Sequence, residues 1–408
     1  MIKLDSSSFP RAVRAIPSKS ELHRILFSAA FAEYRTRTEC SLLSGDIAAT
    51  VDCLNTLGAE ISFADGMLNV TPMKKPNENG VYYCRESGAT LRFLLPVLSA
   101  IGADAELVLS PALMKRPLAD LENALTSAGA HISRADNSVF LSGKADLNGI
   151  RVKGDVSSQY VSGLMLASGI TGGEICIDGR CESRPYIEMT AEVMRRFGHE
   201  VITDDNRIEI KKSAFHVRGG IIKATGDWSD ASVFLTAGAV GRHPVSVSGL
   251  DINSVQGDRI IADVIVYAGG RMTVNGDTVT AYPSVLRPFT VDVSDTPDLA
   301  PALAVLAANA EGASVLTGTR RLKYKESDRA GGIALMLASL GGKAEIGENE
   351  IKIYGGGLSG GEIPAFGDHR MIMAAAAASA GCKNEVIING EEAVEKSHPG
   401  FFEEFSAV

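Results

Sequence analysis

The chain has 408 residues, 45% hydrophobic and 22% charged, which excludes disorder and a disulfide miniprotein and leaves room for two or three domains at roughly 150 residues each. A net charge of −9 with only 6% aromatic residues argues against a nucleic-acid surface, so an anionic ligand must be held by a local cluster of Lys and Arg. Six cysteines without a CxxC pair suggest neither disulfides nor structural zinc, and the opening MIKLDSSSFPRAVR holds no apolar run of signal-peptide length, so a cytoplasmic protein away from membranes is expected.

Along the chain, helix starts are predicted near Ser18, Ser87, Ser157, Ser229, Thr296 and Asp368, each a capping residue before a run of small and apolar residues. They fall 69, 70, 72, 67 and 72 residues apart. A second series interleaves with the first: helix ends at Gly58, Gly129, Gly198, Gly269 and Gly341, in steps of 71, 69, 71 and 72. Glycine suits the left-handed position that closes a helix, which gives this series a physical reason. Short strands are predicted at 107–109, 174–177 and 245–247. Two series with one period imply a unit of about 70 residues, present six times, with two helices and intervening strands in each. The first helix of each unit is apolar or small nearly all round, as in a helix enclosed by its neighbours. The second, as at 119–125 and 186–197, carries charge on part of its circumference and should be partly exposed. The expected architecture is α/β, helices inside and sheets outside, grouped as three units plus three.

Polar residues gather at the predicted helix starts. Lys19, Ser20 and Arg24 open the first unit, Arg85, Glu86, Ser87 and Arg92 the second, and Ser157, Ser158 and Gln159 the third. Asp298 lies at the fifth and His369 with Arg370 at the sixth, while second-helix starts add Lys115-Arg116, Ser183-Arg184 with Tyr186, Lys325 with Arg329, and Lys396. A cation beside a helix N-terminus opposes the helix dipole, so recurrent basic residues there point to a bound anion. Nucleotide loops (GxxxxGK[ST], GxGxxG), HExxH and GxSxG are absent from the sequence. The residues thus point to metal-free group transfer between small polyanions, with Asp298, Glu326, Lys19 and His369 as the groups able to move protons. An inert anion-binding repeat scaffold is the alternative from another class.

Ser18-Lys19-Ser20 with Arg24, Gly88 through Arg92, Met114-Lys115-Arg116-Pro117, Ser157-Ser158-Gln159, Lys325-Glu326-Ser327-Asp328-Arg329, Asp368-His369-Arg370-Met371 and Lys396 occur in order over essentially the whole chain. Together they resemble the 3-phosphoshikimate 1-carboxyvinyltransferase (EPSP synthase) family. The resemblance implies a two-lobed inside-out α/β barrel of six βαβαββ repeats, with one lobe formed by 18–226 and the other by 1–17 with 227–408. It also implies an active site in the cleft between them. The implied reaction joins the enolpyruvyl group of phosphoenolpyruvate to the 5-hydroxyl of shikimate 3-phosphate and releases phosphate, without metal or cofactor, in a monomer.

Carried over position by position, the resemblance implies that Lys19, Ser20, Arg24, Ser157, Ser158, Gln159, Ser183, Tyr186, Asp298, Arg321 and Lys325 hold shikimate 3-phosphate. Phosphoenolpyruvate falls to Lys19, Gly88, Arg116, Gln159, Arg329, Arg370 and Lys396. Asp298 is implied as the base for the hydroxyl, Glu326 as the proton carrier at C3, and Lys19 as stabiliser or acid. Arg321 and Glu86 stand where the family commonly has asparagine. Gly88 carries no side chain to obstruct the inhibitor glyphosate. The nearest rival of the same fold, UDP-N-acetylglucosamine enolpyruvyl transferase, has a reactive cysteine in the loop held here by Leu113-Met114-Lys115, and no cysteine lies between Cys84 and Cys176.

Overall fold

The computed structural model describes residues 1–212 and 220–406. Two compact units divide the chain: one is Pro17–Ala224, the other Met1–Ile16 together with Thr225–Val408.

In the Pro17–Ala224 unit the helices are α1 (Lys19–Ala30), α2 (Gly45–Leu57), α3 (Gly88–Ile101), α4 (Pro111–Met114), α5 (Ala119–Ser127), α6 (Ser158–Thr171) and α7 (Arg184–Arg196). Ser18, Ser87 and Ser157 cap α1, α3 and α6 by accepting from the N–H groups of Glu21, Thr90 and Gln159, each satisfying a donor that the helix leaves open. These three helices are buried on nearly every face and pack on one another. Closeness is bought by glycine: a Cβ at Gly163 of α6 would lie 2.0 Å from the Arg92 carbonyl of α3, so only a bare backbone fits there.

Sheets flank the inner helices. Asn79–Arg85, Asp104–Leu109, Ser138–Ser142 and His131–Ala135 lie side by side in that order, the first pair parallel and the others antiparallel. Asn148–Lys153, Gly173–Asp178, Arg207–Ile210 and Val201–Thr203 repeat the pattern. Thr36–Glu39, Met67–Thr71 and Glu60–Ala64 form a three-stranded version, beside which Ile221 bridges in parallel to Arg37. The first repeat therefore receives its leading strand position from the far end of its own unit.

The second unit contains α8 (Trp228–Val240), α9 (Ile260–Tyr267), α10 (Ala300–Ala308), α11 (Arg329–Ser339) and α12 (His369–Ser379), of which α8, α10 and α12 are enclosed and packed together. Ala12–Arg14 runs parallel to Val245–Ser248, and Ile2–Leu4 antiparallel to Val386–Ile388. The first sixteen residues thus supply strands to two of this unit's three sheets. Helices inside and sheets outside, three repeats to a unit, is the inside-out α/β arrangement expected from the sequence.

All five glycines of the helix-ending series have positive φ, from 83° at Gly341 to 119° at Gly58, the region where a Cβ is penalised. Three expectations are corrected. The fourth repeat's first helix starts at Trp228 with Asp227 as its cap, not at Ser229. Helix α10 starts at Ala300, because Leu299 N–H bonds the Thr296 carbonyl in a separate turn that holds Pro297 and Asp298 ahead of the helix. Among its described residues the sixth repeat has no second α-helix: the 3-10 segments Glu391–Lys396 and Phe401–Ser406 stand there, separated by Pro399, which cannot continue a helix ladder.

His23 of α1 is 1% exposed, with Nδ1 2.7 Å from Thr50 Oγ1 and its ring edge-on to Phe93. Burial pushes its pKa from 6.5 down to about 3. Between those values the unfolded chain binds the proton and the folded chain does not, so stability falls as pH drops, by about 1.4 kcal/mol per pH unit for one proton. His23→Gln is expected to flatten this acid limb, measured as urea unfolding between pH 7 and pH 4.5; an unchanged slope would refute the assignment to His23.

Candidate active site

The residues singled out in the sequence form one set in each unit. In the second unit, the turn ahead of α10 presents Asp298 to the first residue of α11. Arg329, 1% exposed, donates from Nη1 to Asp298 Oδ1 (2.6 Å), from Nη2 to Glu326 Oε2 (2.7 Å), and from Nε to Asp368 Oδ2 (2.8 Å). Lys325 Nζ lies 3.4 Å from the same Asp298 oxygen. Asp368 is fully buried; it caps α12 by accepting from Arg370 N–H (3.0 Å) and takes a further bond from Ser327 Oγ (3.1 Å). The KESDR segment and the start of α12 are therefore tied together through one guanidinium.

Burial pushes the Asp298 carboxyl up, yet Lys325, Arg329 and Arg370 outweigh it and hold the group well below the usual carboxylate range. Burial pushes the Lys325 ammonium down despite Asp298 beside it. Arg370 keeps its charge against burial through Asp298, Asp227 and Asp258, and its Nε is buried without a hydrogen-bond partner among the described residues. Arg321, in the 3-10 segment Arg320–Tyr324, donates from Nη2 to the Ser294 carbonyl (2.6 Å). Lys396 ends the 3-10 segment Glu391–Lys396, which packs on α12.

In the Pro17–Ala224 unit Lys19 Nζ is 2.7 Å from Asp46 Oδ2, an ion pair with both side chains mostly covered. Arg24 is 2% exposed and spends its donors within the protein: Nε on Thr190 Oγ1 (2.7 Å), Nη1 on the Ser20 carbonyl (2.6 Å), Nη2 on Ser162 Oγ (3.1 Å) and the Tyr186 carbonyl (3.0 Å). Burial lowers its pKa to about 10. It thereby bolts the first turn of α1 to that of α7, placing Ser20 and Tyr186 near each other. Gly88 opens α3, and a Cβ built on it would lie 2.8 Å from Arg116 Nη1 and 3.0 Å from Arg92 Nη1, so two guanidinium groups crowd this helix start. Arg92 also donates to Gln159 Oε1 (2.7 Å) and the Pro117 carbonyl (2.9 Å), which draws Gln159 to the same place. Ser157 caps α6 and Ser158 is its first residue. Ser183 precedes α7 in the left-handed region (φ 58°), a costly backbone for a residue with a Cβ, and its side chain does not cap the helix.

Within each unit, then, Asp298, Lys325, Glu326 and Arg329 are in direct contact, as are the Gly88, Arg116 and Gln159 neighbourhoods through Arg92. Arg321 bonds away to the Ser294 backbone. Asp46, Arg92 and Asp368 were not assigned as site residues from sequence, yet each pairs with one that was. Asp46 sits in the first turn of α2, the second-helix start of the first repeat, where an acid is ordinary and gives no sequence signal of its own. Among the described residues no group of three or more His, Cys, Asp or Glu is arranged to hold a metal ion, and no helix is long and apolar enough to cross a membrane.

Residues 6–405 match the family model for EPSP synthase (3-phosphoshikimate 1-carboxyvinyltransferase). A 3-phosphoshikimate 1-carboxyvinyltransferase of Thermococcus kodakarensis is 36% identical over 394 residues, covering 96% of each chain. Another, from Brachyspira hyodysenteriae, is 33% identical over 398 residues, covering 96% of this chain and 94% of the relative. Among solved structures, an EPSP synthase from Acinetobacter baumannii superposes with a TM-score of 0.79 at 26% identity, covering 100% of this chain and 96% of that one.

Proposed function

Because the chain belongs to the EPSP synthase family and so transfers the enolpyruvyl group of phosphoenolpyruvate to shikimate 3-phosphate, we propose the following division of labour among its residues. Asp298 takes the proton from the 5-hydroxyl as that oxygen bonds to C2 of phosphoenolpyruvate. Glu326 delivers a proton to C3, giving a tetrahedral intermediate. Phosphate then leaves C2, C3 returns its proton to Glu326, and the enol ether double bond forms. Lys19 stabilises charge on the phosphates and supplies a proton to the departing one; after release, Asp298 gives up its proton to water and Lys19 takes one from water, which returns both groups to their starting forms. The observation that carries this reading is the Asp298 carboxylate held between Lys325 and Arg329, with Glu326 on the same guanidinium.

The charges support the order of events. Before substrates arrive, the cations keep Asp298 ionised and therefore ready to accept a proton, though weakly basic. Polyanions laid against the same cations offset part of that field and raise the basicity of the carboxylate when the hydroxyl is next to it. Ser20, Ser157, Ser158, Ser183, Tyr186, Arg321 and Lys325, with Arg24 as the bolt beneath Ser20 and Tyr186, are assigned to shikimate 3-phosphate. Gly88, Arg116, Gln159, Arg329, Arg370 and Lys396 are assigned to phosphoenolpyruvate, and Lys19 to both. The reading requires both sets to act on one substrate pair, which a single chain can supply, and its water-soluble substrates fit a cytoplasmic enzyme.

Phosphate release measured with phosphoenolpyruvate and either shikimate 3-phosphate or UDP-N-acetylglucosamine tests the acceptor. Turnover with the first alone is expected; turnover with the second alone would overturn it. Gly88→Ala tests the phosphoenolpyruvate assignment. Its methyl would displace the Arg116 guanidinium, a flexible side-chain end, so the fold should survive while KM for phosphoenolpyruvate rises by about tenfold, the worth of roughly one weakened charge-assisted bond. An equal rise in KM for shikimate 3-phosphate would contradict the division between the two substrates.

A further inference from the structure

We propose that His398 is a positioning residue for phosphoenolpyruvate, acting by fixing the segment that carries Lys396; this rests on the assignment of Lys396 to phosphoenolpyruvate made above. Lys396 lies between two anchors. On one side Val394 is 3% exposed, in the 3-10 segment packed on α12. On the other, the N–H groups of Ser397 and His398 both donate to the Val394 carbonyl (2.9 and 2.8 Å), and the chain then enters Phe401–Ser406 through a bond from Phe401 N–H to the His398 carbonyl (3.2 Å). The imidazole, 1% exposed, is the far anchor: Nδ1 is 2.8 Å from Asp230 Oδ1 and Nε2 3.4 Å from Glu404 Oε1.

Nδ1 is within hydrogen-bond distance of Asp230 while Nε2 faces Glu404 at ion-pair distance only, so the two carboxylates together call for a ring that carries a positive charge. Burial opposes that charge, but Asp230 on α8 and Glu404 on the following 3-10 segment outweigh it and raise the pKa to about 10. Phe401 and Phe234 cover the ring, 5.4 and 6.5 Å away, in a cluster completed by Phe9 and Phe405. Stability alone gives no reason for a cation here, since an apolar ring would suit that cluster and buried ion pairs are weak stabilisers. What the clamp supplies is direction. It ties residue 398 to the first turn of α8, the helix whose cap Asp227 also acts on the charge of Arg370. Lys396 and Arg370, both assigned to the same substrate, are thereby referred to one helix end.

Steady-state kinetics of the full chain decide the matter. In His398→Gln, KM for phosphoenolpyruvate is expected to rise about tenfold while KM for shikimate 3-phosphate stays within about twofold, and Lys396→Ala/His398→Gln should be no worse than Lys396→Ala, since the two act as one unit. Glu404→Gln, at a partly exposed position, should fold normally and weaken the hold on the imidazolium. The pH at which KM for phosphoenolpyruvate begins to climb should then move down, with no matching change for shikimate 3-phosphate. Additive effects in the double variant, or an unmoved alkaline limb in Glu404→Gln, would overturn the proposal. If Lys396→Ala itself leaves KM for phosphoenolpyruvate unchanged, the assignment of Lys396 falls, whatever His398→Gln does.

Discussion

Asp298→Asn is expected to lower kcat by about 10²–10⁴-fold, the usual worth of a general base, with little change in fold. The amide matches the carboxylate in size, and its oxygen can still accept from Arg329 Nη1, so the contact at 2.6 Å is kept in weakened form. What is lost is the ability to take a proton from the substrate hydroxyl and the countercharge for Lys325 and Arg329. Because those cations, with Arg370, hold Asp298 well below the ordinary carboxylate range, it stays ionised in the enzyme without substrates across the usual assay range. An acid limb in kcat/KM above about pH 5 must then belong to another group, and it should persist in the residual activity of the variant. Phosphate release under single-turnover conditions, with thermal unfolding as the control, measures both. A rate within a few-fold of the unaltered enzyme would remove Asp298 from the role of base.

Arg329→Met should give the largest loss of stability of any single change at this site. One guanidinium answers Asp298, Glu326 and Asp368, and both Arg329 and Asp368 are excluded from water. Removing one partner of a buried ionic group costs about 3–5 kcal/mol, because the remaining charge keeps its burial and loses its compensation. Methionine fills much of the space, so the loss reads the charge more than a cavity. Urea unfolding of the variant should show the decrease in the unit formed by 1–16 and 225–408, while the transition of the 17–224 unit is unchanged. Adding Asp368→Asn to Arg329→Met removes the most deeply buried of the stranded charges and should recover part of the loss. Two independent, additive losses would mean that the pair does not act as a unit. Turnover should be abolished in both variants.

The elements that sequence revealed are those with a local cause. A serine whose hydroxyl caps the helix it precedes, and a glycine forced to positive φ at the helix end, leave the same mark in every repeat, so Ser18, Ser87 and Ser157 and the five closing glycines could be read directly. Where the cause was tertiary, the sequence was silent. Thr296-Pro297-Asp298 has the composition of a helix start, but a turn of its own precedes α10 and leaves Asp298 free of the helix ladder. Nor did local pattern distinguish Arg24, which braces the two helix starts from beneath, from Arg329, which joins three carboxylates: both are arginines near a helix N-terminus. Their partners, Tyr186 and Thr190 for one and Asp298 and Asp368 for the other, are separated from them by 31 to 166 positions. Asp46 was missed because an acid in the first turn of a helix has an ordinary explanation in the dipole, and only the ammonium of Lys19 against it gives it another.

The two strands contributed by the first sixteen residues bear on how the polypeptide matures. Made before their partners, Ile2–Leu4 and Ala12–Arg14 must wait for strands that are synthesised more than two hundred residues later, at 245–248 and 386–388. The intervening stretch, 17–224, carries its own core and can mature during that delay, whereas the unit with discontinuous sequence cannot complete its sheets until residues 386–388 have been made. Closing so long a loop costs chain entropy, so slow refolding should follow the late-made unit, and it should quicken when the unit is produced as one continuous stretch with residues 1–16 joined ahead of 225.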